Sequence, residues 1–241
     1  MSYKFEVEGG KTVKFPVGGK YCDRDIEVTA LKSGDTAMED GLVTRTLTDY
    51  SNDRITSVGA YAFNQAKTLK SVSLPNVTSI GTYAFCDCTA LESAYIPKLT
   101  TNSERSFQNN SKLKSIDFPL LANVDRNICY NCSALESANL PAATKLGYYV
   151  FYGCKKLTRL DFPVLTYIEG YSFNGCSTLT TLILRSPTLC KLNATTALTS
   201  TPIASGTGYV YVPDDLVDEY KAATNWSTYA AQIKPISELE E

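Results

Sequence analysis

Eight cysteines and no histidine bound the chemistry open to this chain. Cys86-x-Cys88 and Cys129-x-x-Cys132 have the spacing of thiolate metal ligands. Their phase points elsewhere. Cys88, Cys132, Cys154 and Cys176 share one repeating column with Ala66 and Asn110, and Cys129 stands where other units carry Phe. A zinc site gathers its ligands at one point, whereas a column spreads them one per unit. The column therefore reads as buried free thiols filling a narrow turn. Disulfides between neighbouring units remain an alternative, because units stacked ~4.8 Å apart come near the permitted Cα separation. Residues 1–10 lack the apolar core of a signal peptide, which favours reduced thiols.

Without histidine, Ser-His-Asp and Cys-His catalysis and His-containing zinc sites fall away. Asp214-Asp215 belongs to a helix start rather than a cleft, and no glycine-rich phosphate loop is present. No catalytic residue, cofactor or bound metal is expected, and the chain reads as a non-enzyme.

The elements that would position any functional side chain come from an internal repeat. Pro75, Pro97, Pro119, Pro141 and Pro163 lie 22 residues apart, as do Leu69, Leu91, Leu113, Leu135, Leu157 and Leu179. Phe63, Phe85, Phe107, Phe151 and Phe173 keep the same phase. Each unit reads Leu-x-x-apolar-x-apolar-Pro, as in Leu69 to Pro75, whose alternation predicts a short strand. Proline has no N–H to give a ladder, so it marks where each strand stops. The following segment, such as Thr78 to Phe85, predicts a turn and a short helical or extended stretch. One such unit cannot bury its Leu, Phe and Ile alone, but stacked units share a continuous core.

The stretch Ile80-Gly-Thr-Tyr-Ala-Phe-Cys-Asp-Cys-Thr-Ala-Leu-Glu-Ser-Ala-Tyr-Ile-Pro97 resembles the BspA-like leucine-rich-repeat family, and the likeness extends over about residues 42–241. The resemblance implies a repeat solenoid with short parallel β-strands on its concave side. It also implies a bacterial surface or secreted protein engaged in adhesion and protein–protein contact. It names no ligand.

Four segments are expected. Residues 1–32 form a small β-meander, in which Tyr3 to Glu8 and Ile26 to Thr29 alternate and Gly9-Gly10 and Gly18-Gly19 turn. Residues 33–41 are a linker. Residues 42–205 hold a polar half-repeat, with Gly41 in the aromatic position, and about six rungs. Residues 206–241 cap the stack with a final strand, Tyr209 to Val212, and a helix from Pro213, with Leu216, Val217, Tyr220, Trp226 and Tyr229 covering the open end. Residues 1–32 are a candidate for self-association. They also resemble, loosely, leader segments of phage and prophage tail-associated proteins, which implies a structural accessory role as the alternative.

The net charge of −2 and the absence of a basic run exclude nucleic acid as a partner, and no apolar run reaches the ~18 residues needed to insert in a membrane. The expected partner is a protein or a glycan. The candidate binding face is the solvent-facing strand column Ser73, Tyr95, Asp117, Asn139, Asp161 and Ile183, with Arg159 beside it. Lys70, Glu92, Lys114 and Glu136 alternate in sign and read as charge matching between rungs. Tyr61, Tyr83, Tyr149 and Tyr171 form a further column, read as packing against neighbouring turns, with an interface as the alternative.

Overall fold

A computed structural model describes residues 3–7, 11–15, 30–31 and 47–240. The 22-residue repeat becomes one coil with two short parallel strands. Sheet A stacks Asp49–Ser51, Ser71–Ser73, Ser93–Tyr95, Ser115–Asp117, Ser137–Asn139, Arg159–Phe162 and Thr181–Leu184. Its register follows the sequence period, with Val72 opposite Ala94 and Ile116 opposite Ala138. Sheet B stacks Ser57–Val58, Ser79–Ile80 and Thr101–Asn102, then Asn123–Val124, Lys145–Leu146, Tyr167–Ile168 and Lys191–Leu192.

Between the sheets runs the apolar core. The leucines from Leu69 to Leu179 and the Phe column are buried. Phe63 stacks on Phe85 at 4.9 Å, and Phe85 on Phe107 at 5.1 Å, close to the strand spacing that carries them. Cys129 interrupts the column, and stacking resumes between Phe151 and Phe173.

The stretch after sheet B is a turn rather than a helix. Alternate N–H groups leave the coil: Tyr61, Phe63 and Gln65 donate to the carbonyls of Thr82, Ala84 and Cys86 in the next rung. Those between them close locally, Asn64 on Tyr61 and Ala66 on Phe63. This alternation requires two left-handed residues per coil. The first is Tyr61, Tyr83, Arg105, Asn127, Tyr149 or Tyr171, and the second is Gln65, Asp87, Asn109, Asn131, Gly153 or Gly175. Asn and Gly fill four of the six second positions because they tolerate positive φ best.

One coil carries polar residues in three core columns. Asn102 stands between Ile80 and Val124, and its Oδ1 accepts from the Asp125 N–H at 3.2 Å. Ser106 Oγ and both side-chain atoms of Asn110 are buried without a partner.

At the C-terminal end the period lengthens. Tyr167 pairs with Lys191, 24 residues on, and Thr181 with Tyr209, 28 residues on. Tyr209–Val212 is not the final strand, as the sequence suggested. Ile233–Pro235 adds to it in parallel, because the cap helix Val217–Ala222 and the turn Trp226–Gln232 bring the chain back to the sheet edge. Tyr220 and Trp226 are fully buried, Tyr229 nearly so, and Leu216 and Val217 pack half-buried beside them.

At the N-terminal end Tyr3–Val7 and Lys11–Phe15 form an antiparallel hairpin. Ala30–Leu31 pairs in parallel with Ser57–Val58, extending sheet B. The expected strand Ile26 to Thr29, the turns at Gly9-Gly10 and Gly18-Gly19, the linker 33–41 and Gly41 lie outside the described residues. Tyr50 covers the first Phe of the core, with ring centroids 4.9 Å apart.

Candidate binding surfaces

Ser73, Tyr95, Asp117, Asn139 and Asp161 all lie on the outer face of sheet A, one per rung. Strand alternation does this: Val72, Ala94, Ile116 and Leu160 point inward, so their neighbours point out. Asn139 Nδ2 donates to Asp117 Oδ1 at 2.8 Å. Arg185 forks onto Asp161, Nε to Oδ1 at 2.9 Å and Nη2 to Oδ2 at 2.8 Å. Both acids of the column are therefore held by neighbours. Arg159 is exposed in the adjacent column, and Tyr95 is 58% exposed between Ser73 and Asp117. Ile183 departs from expectation. It is buried beside Tyr211 where the added C-terminal strands extend the sheet, so the open column ends at Asp161.

A concavity of about 700 Å³ lies elsewhere, on the turn face. Two side-chain columns frame it. The first holds the left-handed residues Arg105, Asn127, Tyr149 and Tyr171, and the second holds Gln108, Tyr130, Tyr152 and Asn174. Tyr149 stacks on Tyr171 at 4.8 Å and Tyr130 on Tyr152 at 4.7 Å, while Tyr149 meets Tyr152 edge-on at 5.7 Å. Arg105 lies over the Tyr83 ring, 5.3 Å from its centroid, and donates to the Tyr83 hydroxyl. Arg126 and Tyr148 close the side, with Arg126 paired to Glu104. Burial, with Tyr152 and Tyr149 close by, raises the Tyr130 phenol, and the Glu169 carboxylate raises that of Tyr148.

The sequence singled out Tyr149 and Tyr171 in this groove but not Tyr130, Tyr148, Tyr152, Arg105 or Arg126. Tyr130 and Tyr152 are one period apart, which was the available signal. Their column carries Gln, Cys and Asn in other coils, so it does not stand out as aromatic.

The thiol column is buried. Cys88, Cys132, Cys154 and Cys176 each donate Sγ–H to a carbonyl 25 residues back, those of Phe63, Phe107, Cys129 and Phe151, at 3.0 to 3.2 Å. Burial pushes Cys88 and Cys176 up to about 12. Cys129, hydrogen-bonded to Cys132 and buried, is raised as well. All cysteines among the described residues are free, and no group of three or more Cys, Asp or Glu among them is placed to hold a metal ion. A low-pKa nucleophile needs an exposed, electropositive setting that these thiols lack.

The charge column forms in part. Lys114 reaches Glu92 at 4.0 Å, while Glu136 pairs with Lys156 at 3.4 Å. Both pairs are exposed and add little to stability.

The BspA type leucine rich repeat region matches residues 47–158 and 122–197, in six copies. Among curated proteins none matches the chain. Solved structures share the fold. A leucine rich cell surface protein from Faecalibacterium prausnitzii superposes with a TM-score of 0.61 at 20% identity, over 78% of this chain and 55% of that one. A leucine-rich repeat protein from Eubacterium ventriosum gives 0.60 at 28% identity, over 65% and 43%. The leucine rich repeat protein of T. pallidum gives 0.60 at 22%, over 67% and 84%. The chain thus spans about half the length of the first two.

Proposed function

The chain belongs to the BspA-type leucine-rich repeat family, and from that premise we propose that it is a non-enzymatic binding module whose sheet A face holds a protein or glycan partner in adhesion at a bacterial surface. The observation that carries this reading is Tyr95. A large aromatic side chain 58% exposed on a rigid sheet, flanked by small polar neighbours, has the makings of an interface anchor. Asp117 and Asn139, already hydrogen-bonded, form a pre-ordered polar rim, and Asp161 with Arg185 and Arg159 continue it. Preordering lowers the entropy lost on binding. The Faecalibacterium protein's description as a cell surface protein supports the location. No helix among the described residues is long and apolar enough to cross a membrane.

The test compares labelled wild-type protein with a Tyr95→Ala/Asp117→Lys variant of equal thermal stability, on bacterial and host cells. Saturable binding that the variant loses is the expected result. Binding by both alike, or by neither, overturns the face as the site. Residues 1–32 are proposed to self-associate through the hairpin, and sedimentation of the full chain against residues 30–241 tests this. A monomeric full chain rejects it.

A further inference from the structure

The groove on the turn face is built differently from its neighbours. Along the first column, rings stack as Tyr61 on Tyr83 and as Tyr149 on Tyr171, and Arg105 lies over Tyr83. Arg105 and then Asn127 follow Tyr83, so the second run of rings begins at Tyr149, one rung from Asn127 and two from Arg105. Two rung spacings separate Arg105 from Tyr149, roughly 10 Å. Asn127 stands in that interval and lines the concavity.

The sequence did not need tyrosine at these positions. Tyr149 and Tyr171 have φ of 59° and 60°, where a bulky residue is disfavoured, and Asn127 meets the same backbone demand with φ 60°. Among the described residues the hydroxyls of Tyr130, Tyr149, Tyr152 and Tyr171 make no hydrogen bond to protein, leaving them open to a ligand.

Electrostatics narrow the ligand. Two guanidiniums line the groove and no carboxylate does. Glu104 pairs with Arg126 at Nε, and the Arg126 side chain stays 61% exposed. The backbone narrows it further. Asn127, Cys129 and Asn131 N–H groups are spent on Tyr148, Val150 and Tyr152 carbonyls, and Tyr130 N–H on Asn127. No free ladder is left for a peptide main chain to join. A sugar needs none: its C–H face stacks on a ring, and amides such as Asn127, Gln108 and Asn174 read its hydroxyls.

We propose that this groove is a saccharide site, distinct from the sheet A face, in which a carboxylate-bearing pyranose stacks on Tyr149 over Asn127 with its carboxylate against Arg105 and Arg126. The proposal rests on the chain being a binding module but not on the sheet A site. The full chain is titrated by calorimetry with tetragalacturonate, its methyl ester, 3′-sialyllactose, lactose and hexaglutamate. Binding of either acidic sugar at least tenfold tighter than its uncharged counterpart is expected, and which of the two binds separates a uronate from a sialate source. Tyr149→Asn, whose new residue suits the backbone, and Arg126→Gln each weaken it tenfold or more with the thermal midpoint kept. Tyr95→Ala/Asp117→Lys leaves it unchanged. Equal affinity for uncharged sugars, hexaglutamate binding as tightly, no saturable binding at millimolar sugar, or full binding by Tyr149→Asn overturns the site. Loss confined to the Tyr95→Ala/Asp117→Lys variant also overturns it and leaves the binding-module reading standing.

Discussion

Trp226 and Cys190, 36 residues apart, are joined by a hydrogen bond from the indole Nε1 to the Cys190 carbonyl at 2.6 Å, while the Cys190 N–H donates to the Tyr220 hydroxyl at 2.8 Å. Two cap side chains thus satisfy both main-chain groups of one residue in the last coil. Coils inside the stack satisfy such groups on the next rung, and the last coil has no next rung. The cap supplies the partners instead.

Trp226→Phe keeps most of the apolar burial but leaves the Cys190 carbonyl unpaired in a dry site. The expected cost is about 1–3 kcal/mol, which lowers the thermal midpoint by roughly 2–12 °C for a chain of this size. Since Trp226 is the sole tryptophan, wild-type fluorescence reports the cap directly. An unchanged midpoint in Trp226→Phe would show that this hydrogen bond does not anchor the cap.

The buried thiols set a pH dependence. Burial pushes Cys88 and Cys176 from an ordinary 9.0 up to about 12. Between those values the folded chain holds protons that the unfolded chain has lost. Their contribution to stability is therefore complete below pH 9 and declines as pH rises towards 12, by about 1 kcal/mol per thiol per pH unit inside that window. Urea unfolding from pH 8 to 11 should give a steeper decline for wild type than for Cys88→Ala/Cys176→Ala. Parallel slopes would refute the assignment.

The fold was legible because each core column is sampled many times. Leu69 to Leu179 and Phe63 to Phe173 state the same inward position over and over, so one exception, Cys129, does not blur it. Sheet A's inward and outward residues followed from alternation within the strand. What was not legible occurs once or depends on neighbours remote in sequence. Ile183 belongs to the outward column, and its burial follows from the added C-terminal strands. Ile233–Pro235 lies off the period, where no column could announce it. The pairing of Asp161 with Arg185 joins residues in different phases. The groove depends on Asn127 being small where the same column elsewhere carries Tyr or Arg, a contrast visible only once the turns are known to stack.

Asn110 occupies the thiol column but, unlike Cys88 and Cys132, donates to no carbonyl. A buried amide with no partner costs about 1–3 kcal/mol. Asn110→Cys restores the column's own solution, since its neighbours pass Sγ–H to the carbonyl 25 residues back. Under reducing conditions the thermal midpoint should rise by roughly 2–12 °C. A fall would mean that the amide is satisfied in solution.

Gly153 and Gly175 occupy the same column with φ of +70° and +75°, so alanine is strained at both by about 1–2 kcal/mol. Their surroundings differ. A Cβ at Gly175 would meet the Gly153 N at 3.5 Å, ordinary contact, whereas a Cβ at Gly153 would come within 2.6 Å of Asn131 Oδ1. Asn131 is exposed and its Oδ1 ends a rotatable side chain, so it can swing aside, and the left-handed backbone sets the cost at both positions. Gly153→Ala and Gly175→Ala should therefore lose similar stability in urea unfolding, and the Gly153→Ala cost should be the same within about 0.5 kcal/mol against an Asn131→Gly background, where glycine suits the φ of 57°. A larger cost for Gly153→Ala that Asn131→Gly removes would show that the Asn131 side chain is held in place.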